Sequence, residues 1–197
     1  MTPAPPLPES CGVAFKEWAG ICDALAEGRQ SLILRKGGIA EGPKGFVPEH
    51  PVFWLYPTRV HQAEQGLRTT PTRPIPDHPS AGIVAIRALV VVEMIDYLDR
   101  PEVLSRLAPW HVWTEETVEK RFSYRRPGLW VLGVRVFRRP DPWTLAETPE
   151  QAGCKTWVAL DPPPSPAGLM PVLDQVEHAR RQARLRAALA TAAGRDR

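Results

Sequence analysis

Apolar residues recur at helical spacing through Phe15, Trp18, Ala19, Ile21, Cys22, Leu25 and Ala26. That pattern predicts a first helix with one buried face, closed by Gly28 as a C-cap. Ser31–Arg35 (SLILR) reads as a short buried strand, broken by Gly37-Gly38. Ile39–Glu49 reads as a loop rich in Gly, Pro and charge. Pro51–Tyr56 (PVFWLY) is a second strand, ended by Pro57. His61–Leu67 suits one or two helical turns, and the prolines of Arg68–Ser80 predict a loop or lid. Val84, Ile86, Val90 and Val92 alternate within Ile83–Ile95, a strand pattern. Pro101–Leu107 begins with proline, as short helices do. Thr114 is placed to cap a helix over Glu115–Phe122, with acids in its first turn. Leu129–Phe137 and Trp157–Leu160 are further strands. Pro171–Ala193 is a helix with a weak stripe of Val172, Val176, Ala179, Ala183, Arg186 and Ala187. Such a stripe predicts a solvated tail helix, or one that docks on a partner.

Helices and strands do not alternate strictly, so the order predicts an α+β fold. Its expected form is a mixed sheet or small barrel with peripheral helices and a C-terminal helix. The 23 prolines gather at the ends and in three internal stretches, where they mark boundaries. They divide the chain into a flexible tail over 1–10, one α+β domain over 11–162, and a Pro-rich linker with an Arg-rich helix over 163–197.

Hydrophobic residues make up 43% of the chain, which supports a core and argues against global disorder. Net charge is only +3, so charge alone predicts no nucleic-acid binding. The positive residues are mostly arginine, which suits bidentate phosphate contacts and base stacking. A GC-rich genome is the readier explanation of an Arg-, Pro- and Ala-rich composition. Cys11, Cys22 and Cys154 have no paired spacing, so neither disulfides nor a zinc site are expected. Reduced thiols, an N-terminus unlike a signal peptide, and no apolar run longer than Ala88–Val92 predict a cytoplasmic chain without a membrane span. No cofactor or metal is expected, and oligomeric state is not legible.

Phe15-Lys16-Glu17-Trp18-Ala19, Leu34-Arg35-Lys36-Gly37-Gly38-Ile39 and Phe53-Trp54-Leu55-Tyr56-Pro57-Thr58, followed by His61-Gln62, carry a family pattern. Arg121-Phe122 and Leu132–Phe137 extend it. The chain resembles the bacterial domain-of-unknown-function family 1802 over roughly residues 11–160. Some members of that family associate with restriction-endonuclease-like domains. A remoter resemblance concerns fold. Gly28 and Arg35 match the Gly-x-Lys-x-x-Glu-x-Arg opening of ASCH domains, which have a PUA-like barrel. Gln30 and Ile33 replace the Lys and Glu, so amidohydrolase chemistry is not carried over.

Three functional readings follow. The first is a non-catalytic nucleic-acid-binding module, with RNA or DNA as partner. Its surface would be Arg35, Lys36, Tyr56, Thr58, His61 and Gln62, with Arg121, Tyr124 and Arg125 nearby. Cations beside Gly37-Gly38 suit an anion-binding turn, and aromatics beside cations suit base stacking. A tight turn with solvated cations explains the same residues. Tyr56 and Thr58, at the expected strand end, are better surface candidates than Trp54. The second reading is a nuclease or hydrolase using Glu17, Glu41 or Glu49 with His50 or His61. No phosphate loop, nucleophile elbow or Glu-x-Lys pair supports it. The third is an accessory module acting through the C-terminal helix.

Overall fold

Residues 6–36, 46–58, 66–68, 82–153 and 155–190 are described by the computed structural model. Val13–Trp18 forms β1, which corrects the expected helix start. Ala14, Phe15, Lys16 and Glu17 are all buried. A strand covered on both faces shows no period of its own, so helical spacing concealed it. Only Ala19–Ala26 is helical, as α1. Gly28 follows with φ +73°, and a Cβ there would lie 2.9 Å from the Leu173 side chain. Backbone and contact both require glycine at this helix end.

Leu32–Arg35 is β2, and Val52–Thr58 is β3. The second of these runs through Pro57, two residues past its expected end. Its parallel ladder with β1, down to Trp18 opposite Thr58, keeps the backbone extended. Ile83–Leu98 (β4) and Leu129–Ala146 (β5) form one long antiparallel pair. Register shifts interrupt it between Ile86 and Ala88 and between Val92 and Met94. A one-residue shift exchanges the faces of a strand. Val84 and Ile86 therefore join a smaller cluster with Trp54 and Tyr56, while Ala88 and Val90 join the main core with Phe53 and Leu55.

Pro101–Trp110 is a 3-10 helix, and Glu115–Ser123 is α2. The Thr114 side chain accepts from Thr117 N, the expected cap, worth roughly 1 kcal/mol. The remaining elements are α3 (Pro149–Ala152), β6 (Trp157–Ala159), β7 (Met170–Pro171) and α4 (Gln175–Ala190).

The sheet has seven strands in the order β2-β5-β4-β3-β1-β6, with β7 on β5. Among the described residues only β1 and β3 pair in parallel, so the sheet is mixed and the fold is α+β. It does not close into a barrel: among the described residues β2 and β6 are edges with no ladder between them. The two edges nevertheless approach, because Arg35 at the end of β2 hydrogen-bonds the Thr156 hydroxyl beside β6.

The buried face of α4 is His178, Gln182, Leu185 and Leu189. This corrects the expected stripe, of which Val176 is exposed. Leu185 and Leu189 enter the main core. Two polar residues on the inner face hid the stripe from an apolar pattern. They are tolerated because Glu93 and the Val134 carbonyl meet them. Among the described residues no helix is long and apolar enough to cross a membrane.

Candidate nucleic-acid interface

Three strand ends and one helix face meet around one cluster of polar and aromatic side chains. Parallel pairing sets Glu17 opposite Pro57 and Trp18 opposite Thr58. The Thr58 hydroxyl donates to the Glu17 carbonyl at 3.3 Å. Phe15 and Glu17 share one face of β1 by alternation. The Arg35 guanidinium lies over the Phe15 ring at 5.2 Å and the Phe46 ring at 5.9 Å. From α2, Arg121 reaches back to the Leu34 carbonyl at 3.4 Å.

The Arg121 guanidinium is held between two indoles. It lies 4.1 Å from the Trp18 ring centre and 4.9 Å from that of Trp113. Burial lowers its pKa; the charge of Glu17 opposes this and that of Arg35 adds to it. Arg121 thus feels both of these charges. Glu17 is 2% exposed. One of its carboxylate oxygens accepts from Trp18 N at 2.8 Å; the other, Oε2, has no hydrogen-bond partner. Trp113 is fully buried, and its Nε1 also lacks a partner. Behind it, His111 packs on the Trp113 ring at 5.7 Å. Burial, helped by Arg68, pulls the His111 pKa down to about 4.

The residues expected to form one surface separate. Arg35, Thr58 and Arg121 meet at this cluster. Lys36 does not present its ammonium outward: it donates to the carbonyls of Phe122, Arg126 and Gly128. One of those carbonyls is in the last turn of α2 and two lie just after it, so Lys36 ties down the negative end of that helix. Tyr56, expected at the surface, is 1% exposed and donates to Glu147 at 2.7 Å. The longer β3 makes it an interior position of the sheet. Burial, with Glu147 second, raises its pKa strongly. Tyr124 and Arg125 stand on the exposed turn after α2, with the Arg125 guanidinium 5.2 Å from the Tyr124 ring. His61 and Gln62 lie outside the described residues, as do Glu41 and Gly37-Gly38.

Of the remaining candidates for acid–base work, His50 packs edge-on against Trp157 at 4.8 Å, and Glu49 is exposed. Among the described residues no three His, Cys, Asp or Glu side chains gather as a metal-binding group. Sequence reasoning missed Trp18 and Trp113 as members of the cluster. Trp18 matched a helix stripe, and nothing in the spacing near Trp113 distinguished it from a core residue.

The family model described as "Domain of unknown function (DUF1802)" matches residues 14–184, and the chain belongs to that family. No curated protein matches it. Among solved structures it is similar to the crystal structure of ASCH from Zymomonas mobilis, at 14% identity and a TM-score of 0.42, over 87% of this chain and 92% of that one. A mutant form of the same protein aligns with 14% identity and a TM-score of 0.43, over 91% of this chain and 99% of that one.

Proposed function

We propose that this DUF1802 chain is a nucleic-acid-binding module that performs no chemistry on its ligand. The observation that carries the reading is the Arg121 guanidinium stacked on the half-buried Trp18 indole. Among the described residues Arg121 has no ion-paired acid, so its charge stays available to an anionic ligand. Indole faces are groups on which unpaired bases stack, and Trp18 is only half-buried; Arg121, covered by Trp18 and Trp113, contributes charge. Arg35 lies beside Arg121, and Arg125 and Arg126 stand exposed just beyond the end of α2. These supply charge for the phosphates, which position a strand without reading it. Lys36 serves by holding the turn that carries Arg125 and Arg126.

Fluorescence anisotropy with single- and double-stranded RNA and DNA, at about 50 and 200 mM salt, tests the proposal. Binding is expected for single strands and weakens as salt rises. Arg121→Ala costs roughly tenfold in affinity, the scale of one lost stacking or base contact. Arg125→Ala lowers the salt slope by about one. Absence of binding to all four ligands at the lower salt removes the reading.

A further inference from the structure

Directly opposed residues of neighbouring strands project from the same face of a sheet. At the ends of β2, β5 and β4 this rule sets three side chains in one row. Arg35 pairs with Trp130, and Trp130 with Tyr97. The two rings meet edge to face, their centres 5.1 Å apart at 67°. Two residues along, the same face carries Ile33, Leu132 and Ile95, of which Ile33 and Leu132 are fully buried. Cover thins toward β4 and toward the strand ends. Ile95 is 48% exposed and Tyr97 42%, while Trp130 and Arg35 are half-buried. An aromatic pair at the end of a sheet row is thus left partly open to solvent.

Two neighbouring features bear on what would cover it. The Tyr97 phenol rests on Gly128, where any side chain would strike its hydroxyl. That contact fixes the ring by its polar end, and glycine brings no side chain to cover it. The Lys36 ammonium gathers the carbonyls of Phe122, Arg126 and Gly128. The turn that bears exposed Arg125 and Arg126 is therefore tied to the glycine under Tyr97. The exposed acids nearest in sequence do not cancel this charge. Asp96 points to the opposite face by alternation, and Asp99 lies 3.9 Å from Arg100. At the other end of the row, the charge of Arg35 acts on Arg121, which stacks on Trp18. Aromatic and cationic side chains follow one another from Trp18 through Arg121, Arg35 and Trp130 to Tyr97. Unpaired bases need the aromatic faces, and the phosphates between them need the cations. A duplex keeps its bases stacked inside and offers no free face to such a row.

We infer that Tyr97 and Trp130 form a second base-stacking step for a single-stranded nucleic acid. The inference rests on the binding reading above and extends its footprint from Trp18 to β4.

The test measures anisotropy of the full chain with two single-stranded oligonucleotides of equal length and charge, one with all its bases and one abasic over its central nucleotides. Tyr97→Leu and Trp130→Leu keep apolar bulk and remove the aromatic face. Each is expected to weaken the base-bearing strand by roughly tenfold, the scale of one lost stacking contact. Neither should change affinity for the abasic strand by more than about twofold, because the phosphate contacts remain. On the unaltered protein, 5-iodouracil placed along the strand should crosslink on irradiation to Tyr97 or Trp130, read by mass spectrometry; this arm decides should the variants fail to fold. Equal losses on both strands would assign the pair to packing against Gly128 and overturn the inference. Undiminished binding by both variants, or crosslinks confined to Trp18 and its surroundings, would overturn it while leaving strand binding intact. Absence of binding to every oligonucleotide overturns the nucleic-acid reading beneath it.

Discussion

The cluster at the strand ends and the seam beneath α4 both bury charge, but they treat it differently. In the seam the charges find partners from other elements. His178 Nε2 meets Glu93 at 2.8 Å, and Arg135 donates to Gln175 at 2.6 Å. Arg181 bonds both Glu177 and the Gly28 carbonyl, and the bonds from Arg180 and Arg181 hold the Glu177 carboxyl down to about 2. The atoms left open there are the Gln182 amide oxygen and one nitrogen of Arg135, on side chains otherwise bonded. At the strand ends the open atoms are Glu17 Oε2, Trp113 Nε1 and His111 Nδ1, and the Arg121 guanidinium makes no ion pair among the described residues. Paired buried charge clamps elements together. Unpaired buried charge is kept at a cost in stability, which is how binding sites differ from structural ones.

The largest expected effect tests whether the seam is structural at all. Leu185→Ala should cost about 3 kcal/mol in urea denaturation, as for a fully buried leucine. A loss under about 0.5 kcal/mol would make α4 a loosely attached arm and end the comparison.

A pH dependence comes next and concerns the cluster. His111 is buried and has a folded pKa of about 4 against the ordinary 6.5. Between those values the unfolded chain binds the proton and the folded chain does not. Stability from this group is therefore full above about pH 6.5 and lost as pH falls toward about 4, by about 3 kcal/mol. Denaturation curves across that range should show the slope, and His111→Gln should flatten it. An unchanged slope in the variant would place its origin elsewhere.

The smallest effect is the most direct contrast. Glu93→Gln disturbs the hydrogen bond to buried His178 and should lower stability by about 1 kcal/mol, modest because Glu93 is partly exposed. Glu17→Gln keeps an oxygen for the Trp18 N–H and removes a carboxylate without an ion pair, so it should cost less than Glu93→Gln. Equal losses in thermal or urea denaturation would erase the distinction between the two regions.

Local rules were legible wherever a segment's own pattern decided its state. The strands β2, β3, β4 and β5, the Thr114 cap and the opposite faces of Phe53 and Trp54 all follow from period and end chemistry. They also suffice for the α+β class. What pairing over long separations decides was not legible. Parallel pairing with β3 makes Val13–Trp18 a strand, and a register shift divides β4 between two clusters.

The candidate site divides in the same way. Arg35, Thr58 and Arg121 were named from the sequence as basic or strand-end residues. Arg121 and Arg125 are four residues apart in one basic-aromatic stretch, yet one turns inward to Trp18 and the other stands exposed. Lys36 lies beside Arg35, yet carbonyls in the last turn of α2 and just after it claim its ammonium. Residue type and periodicity carry secondary structure and composition because these depend on near neighbours. The meeting of Glu17, Arg121 and Trp113 joins one strand and residues a hundred positions away, and only the folded sheet brings them together.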